Sequence, residues 1–312
     1  MSARPLSSLE PTSRPRITFG SLAAQKANGK PIAMVTAYDY PSAQIADAAG
    51  VDIVLVGDSA AMTVLGYDST VPVTVDEMLM LTAAVRRGLS TPLLVADLPF
   101  GSYEVSDEQA VATAQRFIKT AGADAVKIER GGSSVDRARA IVAAGIPVMG
   151  HVGLTPQTAA TIGGYRSQGR TADEALAVYD SAVALQGAGC FSLVFEAIPT
   201  AATDAIMPHI DIPVIGIGAG PNTDGQVLVF HDLLGIYDGR PARFVKRYAD
   251  LREPMIAAVA AYSDEVRTHR YPQPEHGYAM PSAESARLVT LLADRGRRRA
   301  STRAVGDSSL AS

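Results

Sequence analysis

Short runs of apolar, often β-branched residues alternate with longer amphipathic stretches through the middle of the chain. Near-continuous apolar runs of this length are typical of parallel strands that are covered on both faces. Seven runs predict strands: Pro31–Ala37, Val51–Gly57, Pro92–Asp97, Ala123–Glu129, Ile146–His151, Cys190–Glu196 and Ile212–Gly218. Gln226–Phe230 is a weaker candidate for an eighth strand.

The stretches between these runs carry helix signals. Ser42–Ala49, Ser106–Ala121 and Ser133–Ala144 each begin with a serine, a common N-cap residue, and each is followed by a glycine. The strand-to-strand repeat is about 30 residues, as a βα unit requires. We therefore predict an α/β fold, a (β/α)8 TIM barrel. A doubly wound open sheet is less favoured because no GxGxxG opens the first unit.

The two ends of the chain differ from this middle part. Residues 1–24 are rich in Ser, Pro and Arg and show no periodicity, and residues 291–312 form an Arg-rich tail. Both segments are expected to be disordered. The barrel is expected to occupy residues 25–290 as a single catalytic domain.

Composition narrows the class of protein. The 312 residues are 47% hydrophobic and 19% charged with a net charge of −4, which is typical of a packed globular protein. The acidic balance argues against nucleic acid or an anionic membrane as the main partner. No apolar run reaches the ~20 residues that a membrane span needs. The single cysteine, Cys190, excludes a disulfide framework and fits a reducing compartment, so a cytoplasmic location is expected.

Ionisable residues lie at the ends of five successive predicted strands, in a chain whose strands are otherwise almost uncharged. Active sites of such barrels lie at the C-terminal ends of the strands. Any single one of these residues could instead cap the following helix, but five together indicate a functional site. The residues are Asp58 (followed by Ser59), Asp97, Lys127 with Glu129, His151 and Glu196.

The residue types suggest a hard cation and an anionic substrate. Asp58, Asp97 and Glu129 offer only oxygen ligands, which favour Mg²⁺ when the site stays partly open to water and substrate. Lys127 and Glu129 are two residues apart on one strand and therefore point to the same face. If that face is the barrel interior, the lysine needs a carboxylate or an anionic substrate beside it.

Two further residues allow alternative interpretations. Glu196 ends an apolar strand and is a candidate general base, although it could simply pair with Lys127. His151 could be a hydrogen-bonded core histidine or part of the site. Similarly, Gly216–Gly220 could bind a phosphate, but a tight strand-to-helix turn is favoured.

Longer motifs carry a resemblance to a known family. The chain resembles the ketopantoate hydroxymethyltransferase family, within the wider phosphoenolpyruvate mutase/isocitrate lyase group, from about Thr18 to His276. The motifs that carry this resemblance are TAYDY (36–40), VGDS (56–59), DSTVPVT (68–74), ADLPFGSY (96–103), VKIE (126–129), GHVGLTPQ (150–157), GGYRSQGR (163–170) and IPVIGIGAGPNTDGQVLV (212–229).

The resemblance implies an activity and a set of roles. It implies transfer of a hydroxymethyl group from 5,10-methylenetetrahydrofolate to 3-methyl-2-oxobutanoate, giving 2-dehydropantoate for pantothenate biosynthesis. It also implies a homo-oligomer, typically a decamer. The implied metal ligands for Mg²⁺ are Asp58, Asp97 and Glu129, and the implied base is Glu196. The implied substrate-binding residues are Asp58, Ser59, Asp97, Lys127 and His151.

The chain departs from the family pattern at two places. The family's E-G-G-E is Glu129-Arg130-Gly131-Gly132 here, and its E-H-S-F is Glu275-His276-Gly277-Tyr278, followed by an extension to Ser312. Two alternatives therefore stay open. One is a C–C lyase or mutase that acts on another 2-oxo acid, although no cysteine is placed to act as its acid. The other is a non-catalytic barrel.

Overall fold

Eight parallel strands close into a barrel in chain order, as the sequence predicts. The structure, a computed structural model, describes residues 14–129, 133–160, 163–237, 239 and 241–308. The sequence predicts that the eighth strand ends at Phe230, but it ends at Leu228 because Phe230 begins a helix. The strands are β1 Ile32–Thr36, β2 Ile53–Val56, β3 Leu93–Asp97, β4 Ala125–Glu129, β5 Val148–Gly153, β6 Ser192–Glu196, β7 Val214–Ile217 and β8 Gly225–Leu228.

Helices follow most of the strands, and several begin at a side chain that caps them. Asp39, Thr74, Ser106 and Thr171 each accept a hydrogen bond from a backbone N–H of the first turn. The predicted helix 106–121 ends in a π-helical turn, Phe117–Ala121. The helices are α1 Phe19–Ala27, α2 Tyr40–Ala48, α3 Ala60–Thr63, α4 Val75–Gly88, α5 Asp107–Arg116, α6 Ser134–Ala143, α7 Ala172–Gly187, α8 Thr200–Ile206, α9 Phe230–Leu234, α10 Arg252–Arg267 and α11 Ser282–Ser308.

The connection between β7 and β8 contains no helix, although all of its residues are described. The glycine segment 216–220 makes a turn, as favoured, but the turn leads directly into β8 rather than into a helix. Gly218 and Gly220 adopt positive φ angles there. A Cβ atom at Gly218 would lie 2.5 Å from Cδ1 of Phe244, so the Phe244 ring packs directly on this turn.

Alternate strand residues point into the barrel and form layers. On β3, Leu93 and Val95 belong to the inner apolar cluster, whereas Leu94 and Ala96 pack outward against the helices. The next inward residue is Asp97, at the C-terminal end of the strand. The same alternation places polar residues on top of apolar layers in β4, β5 and β6.

The N-terminal end of the barrel is covered by a segment that was expected to be disordered. Leu22 of α1 is fully buried in the inner apolar cluster, and Ile17 and Phe19 pack against it. The prediction of disorder over residues 1–24 is therefore wrong from Ile17 onward, because these apolar side chains bury themselves in the barrel. Residues 1–13 lie outside the described part.

Three aspartates precede strands at this same end, and each accepts a backbone N–H of a neighbouring strand. Asp52 accepts from the N–H of Ala33 (2.9 Å), Asp124 from that of Leu94 (2.9 Å) and Asp224 from that of Val214 (2.8 Å). Each also pairs with a cation; for example, Asp124 contacts guanidinium groups from two arginines. These carboxylates therefore tie adjacent strands together by charge-assisted hydrogen bonds.

The described part of the chain divides into two compact units, one ending at Arg252 and the other beginning at Glu253, rather than one domain over residues 25–290. The barrel lies wholly in the first unit. In the second unit, α11 continues through Ser308, so the expected disorder of the Arg-rich tail is not what the structure shows. Ion pairs such as Arg297–Asp294 lie along this helix. Among the described residues, no helix is both long and apolar enough to cross a membrane.

Candidate active site

A cavity of about 370 Å³ lies at the C-terminal ends of the strands, where the predicted site residues meet. Its lining includes Asp58, Ser59, Asp97, Lys127, Glu129, His151 and Glu196. The strand register places Asp97 beside Lys127 and Glu129 beside His151. The fold thus brings these strand ends together at one cavity, as the sequence predicts.

Lys127 is buried and pairs with Asp97. Its Nζ lies 2.7 Å from Oδ1 of Asp97, and Oδ2 of Asp97 accepts the backbone N–H of Asp58 at 3.0 Å. Burial opposes the charge on the lysine, but Asp97, Glu129 and Asp58 outweigh it and raise the pKa of Lys127. The buried lysine therefore lines the cavity as an ammonium group at neutral pH, a charge that an anionic ligand can contact.

His151 lies between two carboxylates. Its Nδ1 is 3.5 Å from Oε1 of Glu129 and 3.3 Å from Nζ of Lys127, and its Nε2 is 3.3 Å from Oε2 of Glu196. Burial and the Lys127 ammonium oppose protonation, but the two carboxylates outweigh them and raise the pKa of His151 to about 9. The ring is buried, yet it lines the cavity, so it belongs to the site rather than to the apolar core.

Gln157, which sequence reasoning did not single out, joins two of the acidic residues. Its Nε2 donates to Oδ2 of Asp58 (3.0 Å) and to the carbonyl of Leu98 (2.9 Å), and its backbone N–H donates to Oε2 of Glu129 (2.9 Å). The Tyr103 hydroxyl donates to Oε1 of Gln157 at 2.7 Å. The sequence feature that could have identified Gln157 is its position as a polar residue soon after β5, at the active-site end of the barrel.

Ser59 is held by an aromatic hydroxyl that the sequence analysis also missed. The Tyr38 hydroxyl lies 2.8 Å from Oγ of Ser59. Burial raises the pKa of Tyr38 to about 12, so this hydroxyl stays protonated at neutral pH. Ser59 precedes α3, but its side chain makes no capping hydrogen bond and remains directed to this contact.

The three carboxylates are suited to a divalent cation. Burial, together with the charges of Asp97 and Glu129, raises the pKa of Asp58 well above its usual range, and burial also raises the pKa of Asp97. A cation between them would remove this repulsion. Among the described residues, no three Asp, Glu, His or Cys side chains converge on one point as a complete metal site. Mg²⁺ commonly takes only one or two carboxylates and completes its shell with water and substrate, so the donor set fits it.

The contacts of single residues decide between the roles that the sequence left open for them. The helix-capping alternative is wrong for Asp97, Glu129 and Glu196, since none of them is an N-cap. Pairing of Glu196 with Lys127 is also wrong, because the partner of Glu196 is His151. Arg130, the departure from the family pattern, lies outside the described residues.

Cys190 is buried and precedes β6, at the end of the strand opposite the cavity. Burial raises the pKa of its thiol to about 12. Cys190 is therefore a core residue, as the sequence predicts. It is also not the loop cysteine that the lyase alternative would use as an acid.

Comparison with known proteins gives one consistent family. A family model described as ketopantoate hydroxymethyltransferase matches residues 16–274. A 3-methyl-2-oxobutanoate hydroxymethyltransferase of Moorella thermoacetica is 54% identical over 265 residues, covering 85% of this chain and 98% of the relative. The protein of the same name from Heliobacterium modesticaldum is 50% identical, covering 85% of this chain and 96% of the relative.

Solved structures share the fold. The structure of 2,3-dimethylmalate lyase, a PEP mutase/isocitrate lyase superfamily member, superposes with a TM-score of 0.51 and covers 92% of this chain and 100% of its own. At 17% sequence identity this likeness shows only the barrel architecture.

Proposed function

Because the chain belongs to the ketopantoate hydroxymethyltransferase family, we propose that it transfers a hydroxymethyl group from 5,10-methylenetetrahydrofolate to 3-methyl-2-oxobutanoate, giving 2-dehydropantoate. The observation that carries this proposal is the convergence of three carboxylates, a buried ammonium and Glu196 on one cavity. The 2-oxo acid supplies the carboxylate and the keto oxygen that such a set of groups can recognise.

The buried residues of the cavity bind and orient the 2-oxo acid. Asp58 and Asp97 would hold Mg²⁺, with Glu129 ligating directly or through water. Mg²⁺, when bound, supplies Lewis acidity that makes the C3–H bond of the 2-oxo acid more acidic. The Lys127 ammonium offers a positive charge to the substrate's oxygens, and the Ser59 hydroxyl, fixed by Tyr38, offers a hydrogen bond.

Glu196 is the proposed base. Its side chain is only 16% exposed and contacts Nε2 of His151, so the carboxylate is held at one wall of the cavity. It accepts the C3 proton, and the electron pair left behind forms the new bond from C3 to the one-carbon unit. The two C–N bonds that held this unit to the folate break. One water is consumed: its O–H becomes the new hydroxyl, and its other proton and the proton taken from C3 end on the two folate nitrogens. His151 orients Glu196 and can also hold a substrate oxygen.

The remaining properties follow the family. We propose a homo-oligomer, a decamer by resemblance, and a cytoplasmic location consistent with the single buried cysteine. The proposed partners are the small-molecule 2-oxo acid and the folate. Phosphonomutase and lyase activities are less well supported, because the structural neighbours with those names share only the fold with this chain.

Proton exchange tests this function without the folate. Incubation of 3-methyl-2-oxobutanoate in D₂O, with Mg²⁺ or with a chelator, should show metal-dependent loss of the C3 proton signal by NMR. Glu196→Gln should slow this exchange by about 10²–10⁴-fold while the 2-oxo acid still binds. Glu108→Gln, an exposed change on α5, is the matched control and should exchange at the wild-type rate. Wild-type exchange in Glu196→Gln would remove Glu196 as the base.

A further inference from the structure

A second cavity adjoins the first at the proposed base. Its volume is about 740 Å³, twice that of the first, and it extends past the turn at Gly218 and Gly220. Both cavities are lined by Tyr165, Glu196, Ala242 and Phe244. The two spaces therefore share a boundary, and of the described residues that form it Glu196 alone carries a carboxylate.

A transfer between two substrates needs such a boundary. Reacting atoms must approach to about 3–3.5 Å, so the one-carbon donor has to reach the carbon from which Glu196 removes a proton. The first cavity already contains the groups suited to the 2-oxo acid. Of the neighbouring spaces, the second cavity is the one that opens on the Glu196 side.

The shared boundary is aromatic, which suits a flat ring system. Tyr165 is 57% exposed, so its ring is accessible to a ligand. The Phe244 ring is braced from behind by the turn, since it packs on Gly218. Planar heteroaromatic groups stack favourably on such side chains. The ring of a reduced folate could therefore lie against this wall with its one-carbon unit towards Glu196.

The solvent-facing part of the second cavity is positively charged. Arg166 and Arg243 both line it and both are exposed. The glutamate tail of a folate carries two carboxylates, which guanidinium groups bind well. A third cavity of about 550 Å³ shares Glu129 alone with the first among the described residues, and it is lined by Glu104 and Glu174. These two carboxylates repel an anion, so this third space is poorly suited to an anionic tail.

We propose that the reduced-folate donor binds in the second cavity, with its ring at Tyr165 and Phe244 and its glutamate carboxylates at Arg166 and Arg243. This proposal rests on the proposed function, since it places the second substrate of that reaction.

The test measures tetrahydrofolate binding by isothermal titration calorimetry in the presence of Mg²⁺ and 3-methyl-2-oxobutanoate. Arg166→Gln and Arg243→Gln should each raise the Kd roughly fivefold, and the double variant about 20-fold, as expected for exposed charge pairs. Tetrahydropteroate, which lacks the glutamate, should bind the wild type and the double variant equally. Arg87→Gln, an exposed arginine of α4, is the matched control.

Folate-free C3 deuterium exchange separates the two proposals. All the arginine variants should exchange at the wild-type rate, because the 2-oxo acid cavity is unchanged. If wild-type protein shows neither exchange nor folate binding, the proposed function itself is wrong. If the wild type binds folate but the double variant binds it equally well, the placement is wrong. Ala177→Trp would narrow the third cavity. If this variant binds folate more weakly while the arginine variants bind it like the wild type, the donor binds in the third cavity instead.

Discussion

Replacing Gln157 with leucine tests the hydrogen-bond network that joins the acidic residues of the site. Leucine has a similar volume, so the change removes polar atoms without opening a large cavity. The side chain loses its donations to Asp58 and to the Leu98 carbonyl, and the Tyr103 hydroxyl loses its acceptor. The backbone N–H that donates to Glu129 remains.

The cost can be worked out from these contacts. Gln157 is only 4% exposed, so water cannot replace the lost partners. Two neutral hydrogen bonds cost roughly 1 kcal/mol each, and the bond to a carboxylate costs roughly 2 kcal/mol. The free energy of unfolding should fall by about 3–4 kcal/mol. Tyr103→Phe removes the hydrogen bond to Gln157 and the acceptor of the Glu129 N–H, and it should cost about 1–3 kcal/mol.

Urea unfolding followed by far-UV circular dichroism measures this loss, since the chain has no tryptophan. The matched control is Gln226→Leu: Gln226 is exposed on β8, although its side chain also donates two hydrogen bonds. The control should stay within about 0.5–1 kcal/mol of the wild type. Equal stabilities of Gln157→Leu and the control would refute the idea that Gln157 holds the acidic residues together.

Three further changes test other parts of the structure. Asp97→Asn should weaken Mg²⁺-dependent binding of the 2-oxo acid by at least about tenfold in calorimetry; unchanged binding would remove this residue from the metal site. Gly153→Ala should destabilise the protein by several kcal/mol, because the added Cβ would clash with the backbone carbonyl oxygen of Glu196. The displaced backbone should also slow C3 deuterium exchange. Gly145→Ala, also at positive φ but with open space around it, should cost only about 1 kcal/mol in urea unfolding and keep full exchange. Asp124→Asn should lower the free energy of unfolding by about 1–3 kcal/mol, because the Leu94 N–H loses a charged acceptor. The exposed control Asp136→Asn should lower it by about 0.5 kcal/mol or less, and both variants should keep the wild-type rate of C3 deuterium exchange. Equal losses of stability in the two variants would show that the strand contact contributes little.

The barrel could be predicted because its strands are covered on both faces. Burial on two sides forces apolar runs such as that around Val95, and these are visible in the sequence. The missing helix between β7 and β8 could not be seen, because a glycine-rich turn looks the same before a helix or a strand. The folding of Phe19 and Leu22 onto the barrel was hidden by the Ser, Pro and Arg residues around them.

The charged residues of the site were predictable for a related reason. An ionisable residue such as Lys127 at the end of an apolar strand is expensive to bury, so its presence indicates a role. Neutral polar residues carry no such signal. Gln157 and Tyr38 act through contacts across the barrel mouth, which depend on how separate loops meet and not on any local pattern.

The aspartates that precede strands also bear on how the barrel can change over time. A strand of five residues spans about 16 Å, so Asp124 lies farther from Glu129 than the 7–10 Å over which mutational effects usually couple. Losses or gains of stability at the N-terminal end should therefore add independently to changes at the catalytic end. One end of the molecule can drift or be engineered for thermal tolerance while the other is selected for its reaction.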